Sequence, residues 1–425
     1  MKTSLSLKTA LIPLIVLIGL LAFNVIVYGD DALSGSNQFI LLIGGAVAAM
    51  VGFTNKISYQ TMLDKVADNL KSVTGAILIL LFVGALAGTW LISGVIPAMI
   101  YYGLQILHPS IFLPACVIIC ALISLATGSS WTTSATVGIA LIGIGKALGI
   151  PVGMVAGAVL SGAYFGDKLS PLSDTTNLAP AMAGADLFTH IRYMTHTTVP
   201  SILVTLIVFI ILGIGFSGDG AANSQELLAA MNEVFTINLL LFIVPIIVIV
   251  MIVRKTPPLV ALFVGTILGA IAALIFQQEL LLSLSGESTL SLYGTYQVII
   301  DAITVSTEIE TTSAALTDLF QSGGMEGMLG TIWLIICAMV FGGVMDAIGA
   351  LSTISAALLS MAQSTFQLFA STVASCLAIN ITASDQYLSI VVPGKMFEKA
   401  YKDRGLAPEN LSRTLEDSGT VTSVL

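Results

Sequence analysis

The run SGAYFGDKLSPLSDTTN, Ser161–Asn177, directly continues the apolar stretch Pro151–Leu160. It holds Asp167, Lys168 and Asp174 beside five hydroxyls, from Tyr164, Ser170, Ser173, Thr175 and Thr176. Its meaning depends on its solvent. Of 425 residues, 56% are hydrophobic and only 9% charged, with a mean hydropathy of +1.00. Soluble domains carry about 25% charged residues. Most of this chain is therefore dissolved in lipid. A carboxylate at bilayer depth costs roughly 2.5–3.5 kcal/mol on insertion scales, so such residues face a cavity or a partner. Burial disfavours the charged form, which lets a carboxyl there hold a proton near neutral pH. Once ionised, the same group can bind Na+ with neighbouring hydroxyl and carbonyl oxygens. One site with two mutually exclusive guests is what an antiporter needs. The bland alternative is a loop at the cytoplasmic surface, and Lys168 could pair with either aspartate and hold it ionised.

Outward from this run, apolar segments recur at about 10–28, 38–54, 73–94, 111–127, 152–166, 197–216, 236–253, 257–277, 328–349 and 366–382. A spanning helix needs about 20 apolar residues, so the expected class is an all-α polytopic membrane protein. Cytoplasmic loops collect Lys and Arg. Lys2 and Lys8 therefore place the N-terminus inside, with Lys56, Lys65, Lys71, Arg254 and Lys255 on the same side. Ser217–Val234 and Gln278–Gly327 hold three and seven acids without Lys or Arg, and read as external loops. The orientation of Lys395–Arg413 stays open. The first apolar run is long for a signal peptide and reads as a first span.

The segments 73–94 and 111–127 recur at 328–349 and 366–382, an offset of 255. Each pair is followed by a hydroxyl-rich break, GSSWTTS (Gly128–Ser134) and NITASD (Asn380–Asp385), and then by a Ser-Gly pair at Ser161-Gly162 and Ser418-Gly419. By charge the copies enter from opposite sides. That is an inverted repeat, a common build of alternating-access transporters. The expected organisation is N-terminal helices at 1–72, a first repeat at 73–216, linker helices and acidic loops at 217–327, and an incomplete second repeat at 328–425. By repeat symmetry the chain is expected to be C-terminally truncated, with about 50 residues missing.

The segments after the breaks, Ala135–Gly149 and Gln386–Pro393, read as too short or too broken to span, which suggests re-entrant hairpins. Irregular backbone at membrane depth survives only inside protein or along a water-filled cavity. Hydroxyls and exposed carbonyls there suit Na+; packing between helices is the alternative use of such residues. Asp346 and Asp385 are further buried acids. His190 and His196 flank Arg192 in an amphipathic segment, Asp186–His196, that leads into 197–216, and a pH-sensing role is open to them. Cys116, Cys120, Cys337 and Cys376 lie in apolar runs and read as small buried hydrophobes, not as a metal site or disulfide framework. No basic patch points to nucleic acid, and no phosphate-binding glycine loop points to nucleotide-driven pumping. Two intramembrane aspartates could also make an intramembrane aspartyl protease, in which paired carboxyls share a proton, but Asp167 and Asp174 are only seven residues apart.

Four stretches carry a resemblance to a known family. SGAYFGDKLSPLSDTTNLAPAMAGADLFTHIRYMTHTTVP from Ser161, FVGALAGTWLISGVIP at 82–97, GSSWTTSATVG at 128–138 and ASDQYLSIVVPGKMF at 383–397 resemble the NhaC family of bacterial Na+/H+ antiporters, from about residue 10 to the end. The resemblance implies a secondary transporter of the inner (plasma) membrane, not an enzyme, that exchanges Na+ for H+ in pH homeostasis without a cofactor. It implies ion sites on Ser129, Ser130, Thr132, Thr133, Asp167, Asp174, Thr175, Asn177, Ser384 and Asp385, with Asp346 and Lys168 secondary. Some relatives resemble Na+-coupled malate/lactate antiporters, which keeps carboxylate exchange as the alternative; Lys146, Lys168 and Arg192 are the cations near enough to the polar core to serve it. The implied partners are Na+, H+ and the lipid bilayer. A homodimer is among the open arrangements.

Overall fold

The computed structural model describes residues 5–106, 108–216, 228–254, 256–311, 317, 320–383 and 386–424. It is helical almost throughout, as the all-α polytopic class requires. Lipid offers no hydrogen-bond partner to a free peptide group, so apolar runs satisfy their backbones internally as helices. Seven helices among the described residues are long and apolar enough to cross a membrane: Leu7–Tyr28, Ser36–Thr54, Tyr59–Ile92, Pro109–Thr127, Leu187–Ile214, Pro258–Phe276 and Glu326–Ala347. An eighth arises if Leu228–Val234 and Leu239–Val253, bent by 85°, count as one broken span. The side chain of Gln277 stitches the bend. Its Oε1 accepts the Thr236 N–H at 3.0 Å, and its Nε2 donates to the Thr236 and Ser93 carbonyls.

Three regions differ from the sequence expectation. Gln278–Gly327 is not one loop. It contains the helices Gln278–Ser285 and Leu292–Thr304 and a short antiparallel pairing of Thr307–Glu308 with Gln321–Ser322. Leu280, Leu281, Val298 and Ala302 are buried there while Glu279 and Asp301 face outward, so these two acids mark the outer faces of packed helices. Second, Gln386–Asp403 is a single helix that carries Pro393 inside it. Its second half holds Lys395, Met396, Glu398, Lys399, Ala400 and Lys402, good helix formers, and continues the helix past the proline. Third, Ser130–Thr133, a π turn at Ser134–Gly138 and Ile139–Ala147 run on without a gap, so this segment too is longer than expected.

The described chain divides into two compact units. The first holds Met1–Thr74, Ser173–His196 and Gly330–Leu425; the second holds Gly75–Leu172 and Thr197–Leu329. Within the first, Asn24 on one helix donates to Ser36 and Asn37 on the next at 2.8 and 2.7 Å. Such polar contacts join helices where lipid supplies no hydrophobic drive. A separate core gathers Ala179, Ala183, Leu368, Cys376, Ile390, Phe397, Tyr401 and Leu415. Asp186 accepts the Thr189 backbone N–H and hydroxyl, both at 3.0 Å, and these bonds hold its exposed carboxyl below the usual carboxylate range. The expected amphipathic segment that follows is the opening of the continuous helix Leu187–Ile214.

Within the second unit, Pro109–Thr127 lies against Val152–Leu169. Gly162 and Gly166 make the contact. A methyl on Gly162 would overlap the Val117 carbonyl oxygen, and one on Gly166 would overlap the Ala121 carbonyl oxygen and stand 2.5 Å from the Leu125 nitrogen. Small residues four apart let helix backbones approach in this way. Ser124 Oγ donates across the same seam to the Ala163 carbonyl at 2.5 Å. Cys116 and Cys120 are fully buried beside it.

Val95–Ile106, Pro109–Thr127 and the helical stretch from Ser130 form one series of consecutive helices, and Ala350–Ser360, Thr365–Ala383 and Gln386–Asp403 form another. Left-handed glycines punctuate both series, Gly94 and Gly149 in the first, Gly349 and Gly405 in the second. Each ends or precedes a helix where only a residue without Cβ takes positive φ freely.

Candidate functional site

Helix Pro109–Thr127 stops at Gly128, which adopts φ 69° and returns its N–H to the Ser124 carbonyl. Ser129 starts the next helix. Its Oγ accepts the Thr132 N–H at 3.1 Å and the Thr132 hydroxyl at 3.0 Å, and the Thr133 hydroxyl donates to the Ser129 carbonyl at 2.9 Å. Three of the expected hydroxyl residues, Ser129, Thr132 and Thr133, therefore build the helix start. Ser130 turns the other way and donates to Asp167 Oδ2 at 2.7 Å. One turn further, in the π turn, the Ser134 hydroxyl is buried without a hydrogen-bond partner among the described residues. π turns concentrate at functional sites.

Asp167 is 6% exposed and lies in the last turn of Val152–Leu169, beside Lys168 at 7%. The carboxylate is held by the close backbone approach at Gly166, one residue earlier, and by the Ser130 hydroxyl. A buried anion with an oriented donor at a helix break can exchange its charge partner: a proton on the carboxyl, or a cation that takes oxygens from the carboxylate and nearby hydroxyls.

The remainder of Ser161–Asn177 belongs to the other unit. Ser173 caps Asp174–Ala183, accepting the Thr176 N–H at 3.3 Å. Asp174 is exposed and occupies the first turn, where the positive helix end favours an acid. It accepts the Thr175 N–H on Oδ1 and the Tyr387 hydroxyl on Oδ2. Asn177 donates to the Ser173 carbonyl at 2.6 Å. Thr175 is buried and donates its hydroxyl to Glu416 Oε1 at 3.1 Å. Two carboxylates that are close in sequence thus have separate surroundings: Asp167 is met by Ser130, Asp174 by Tyr387.

Asp346 forms an ion pair with Lys65 at 3.0 Å, both partly exposed. His190 is fully buried, with Nδ1 2.8 Å from Ser412 Oγ, while His196 stacks edge-on to Tyr193. Ser384 and Asp385 lie outside the described residues.

Sequence reading missed Glu416, which is 0% exposed. The available signal was an acid two residues before the Ser418-Gly419 pair, within the second copy.

A family model described as the Na+/H+ antiporter family matches residues 162–425. The chain is 37% identical over 379 residues to a Na(+)/H(+) antiporter NhaC of Alkalihalophilus pseudofirmus, covering 89% of this chain and 79% of the relative. It is 36% identical over 388 residues to a malate-2H(+)/Na(+)-lactate antiporter of Bacillus subtilis, covering 91% and 80%. It is 34% identical over 382 residues to the Na(+)/H(+) antiporter NhaC of Bacillus subtilis, covering 89% and 80%.

Proposed function

Because the chain belongs to the Na+/H+ antiporter family, we propose that it exchanges Na+ for H+ across the membrane at a site centred on Asp167. The observation that carries the site is the buried Asp167 carboxylate, met by the Ser130 hydroxyl beside a helix break. Lys168 is the neighbouring cation, and Ser134 offers a further buried oxygen. Access alternates as the two repeats rock, with Na+ and H+ competing for the same oxygens. The location that suits this work is a bacterial inner membrane with the N-terminus inside.

Everted vesicles that carry the full-length protein and a pH dye test the exchange. Added Na+ is expected to dissipate a preformed pH gradient; an unchanged gradient overturns Na+/H+ exchange. A second reading is favoured by the 36% identity to a malate-2H(+)/Na(+)-lactate antiporter and by the cationic residue Lys168, buried next to Asp167 in the chain. Malate or lactate that dissipates the gradient where Na+ alone does not would select it.

Two hydroxyls that stand next to each other are expected to behave differently. Ser130→Ala removes a donor to a charged group, an interaction of about 1.5–3 kcal/mol. The Na+ concentration for half-maximal exchange is expected to rise about tenfold or more. Ser129→Ala removes a helix cap, which costs about 0.5–2 kcal/mol of stability, and is expected to act first on the thermal midpoint of the purified protein. Equal effects of the two changes on Na+ affinity would contradict the distinct roles.

A further inference from the structure

We propose that Glu416 is the anionic ligand of a further monovalent-cation site, built on the π turn Glu416–Thr420; the proposal rests on the Na+/H+ exchange above and adds a second cation-binding carboxylate to it. Glu416 is fully buried and accepts the Thr175 hydroxyl. Thr420 follows four residues later, which in a π turn returns its side chain to the Glu416 face. It is 1% exposed, and its hydroxyl has no hydrogen-bond partner among the described residues. Asn380, on Thr365–Ala383, is seated against the same turn: its Nδ2 donates to the Gly419 carbonyl at 2.7 Å and to Thr422 Oγ1 at 2.8 Å. The other end of that carboxamide, Oδ1, is buried and likewise without a partner among the described residues. Ser389 also donates to the Gly419 carbonyl, at 3.2 Å.

Buried polar atoms in native structures are satisfied, and the exceptions call for a water or an ion. Here the exceptions are a hydroxyl oxygen and a carboxamide oxygen, and they gather at a turn that carries a buried carboxylate. A carboxylate selects a cation over a neutral guest. An all-oxygen set suits a small hard ion, and carbonyls or side-chain oxygens at interrupted helices are how membrane transporters hold Na+. The site lies wholly within one unit, on residues 175, 380, 416 and 420. It shares no residue with the Asp167–Ser130 pair of the other unit.

The test uses the purified full-length protein, reconstituted in liposomes with an internal pH dye, and tracer Na+ binding to the same protein in detergent. Glu416→Gln is expected to raise the half-saturating Na+ concentration about tenfold or more. Thr420→Val keeps the shape and deletes one oxygen. It is expected to raise that concentration about three- to tenfold with the maximal rate little changed, a split that a general packing defect would not give. Glu416→Asp should recover part of the loss. If both Glu416→Gln and Thr420→Val keep wild-type Na+ saturation and binding, the carboxylate and hydroxyl are a structural pair only and the proposal is overturned. Where Glu416→Gln does not fold, as judged by gel filtration, Thr420→Val decides. Tracer binding separates the two readings: wild-type protein that binds Na+ in a Glu416-dependent way but exchanges none keeps this site and removes the antiport.

Discussion

Asp167→Asn is expected to reduce Na+-driven proton movement to background, with the protein still folded. An amide keeps the shape of the side chain and can still accept the Ser130 hydroxyl at 2.7 Å. It carries no charge for Na+ and takes up no proton in the working pH range. Losing a buried charge contact of about 3 kcal/mol corresponds to about 100-fold in affinity, and the proton half of the cycle is lost as well. The measurement is the pH-dye assay in everted vesicles, with membrane abundance checked in parallel. Asp174→Asn is the informative companion. Asp174 is exposed and sits at a helix start against the Tyr387 hydroxyl, so its replacement is expected to weaken exchange less than Asp167→Asn. The reverse order would move the centre of the site to Asp174.

Gly166→Ala is expected to cost both stability and transport. The added methyl would meet the Ala121 carbonyl oxygen and the Leu125 nitrogen, and these are backbone atoms of a packed helix that cannot rotate aside. Overpacking costs about 1–3 kcal/mol, and more where backbone must shift. Here the shift would also carry Asp167, the next residue, away from Ser130. The thermal midpoint should fall, and exchange should fall further than the loss of folded protein accounts for. Gly153→Ala is the control on the same helix. Nothing stands within 4 Å of its added methyl, so the change should be neutral or slightly stabilising through helix propensity. Equal behaviour of the two variants would mean that the close helix seam does not hold the site in place.

Much of the fold was legible because lipid imposes a strict rule on backbone polar groups. Apolar runs such as those that became Leu7–Tyr28, Pro109–Thr127 and Pro258–Phe276 had no alternative to helix. The break at Gly128, with φ 69°, favours a residue without Cβ, and its glycine marks it in the sequence. Acidic stretches were read less well. Counting acids across Gln278–Gly327 suggested loop and hid the helices with the buried face of Leu280, Leu281, Val298 and Ala302. Similarly, Pro393 read as an end when its neighbours carry the helix onward.

The sequence by itself determined the class of the molecule and the family it belongs to, because a chain this apolar has lipid as its solvent and lipid leaves the backbone few choices. Only the tertiary structure decided which groups each charge meets. Ser130 and Asp167 are 37 residues apart and Thr175 and Glu416 are 241 apart, and no local pattern encodes those meetings. They follow from where whole helices pack, through contacts such as Gly166 on Ala121. Packing also divided one polar string between two units, leaving Asp167 buried and Asp174 exposed.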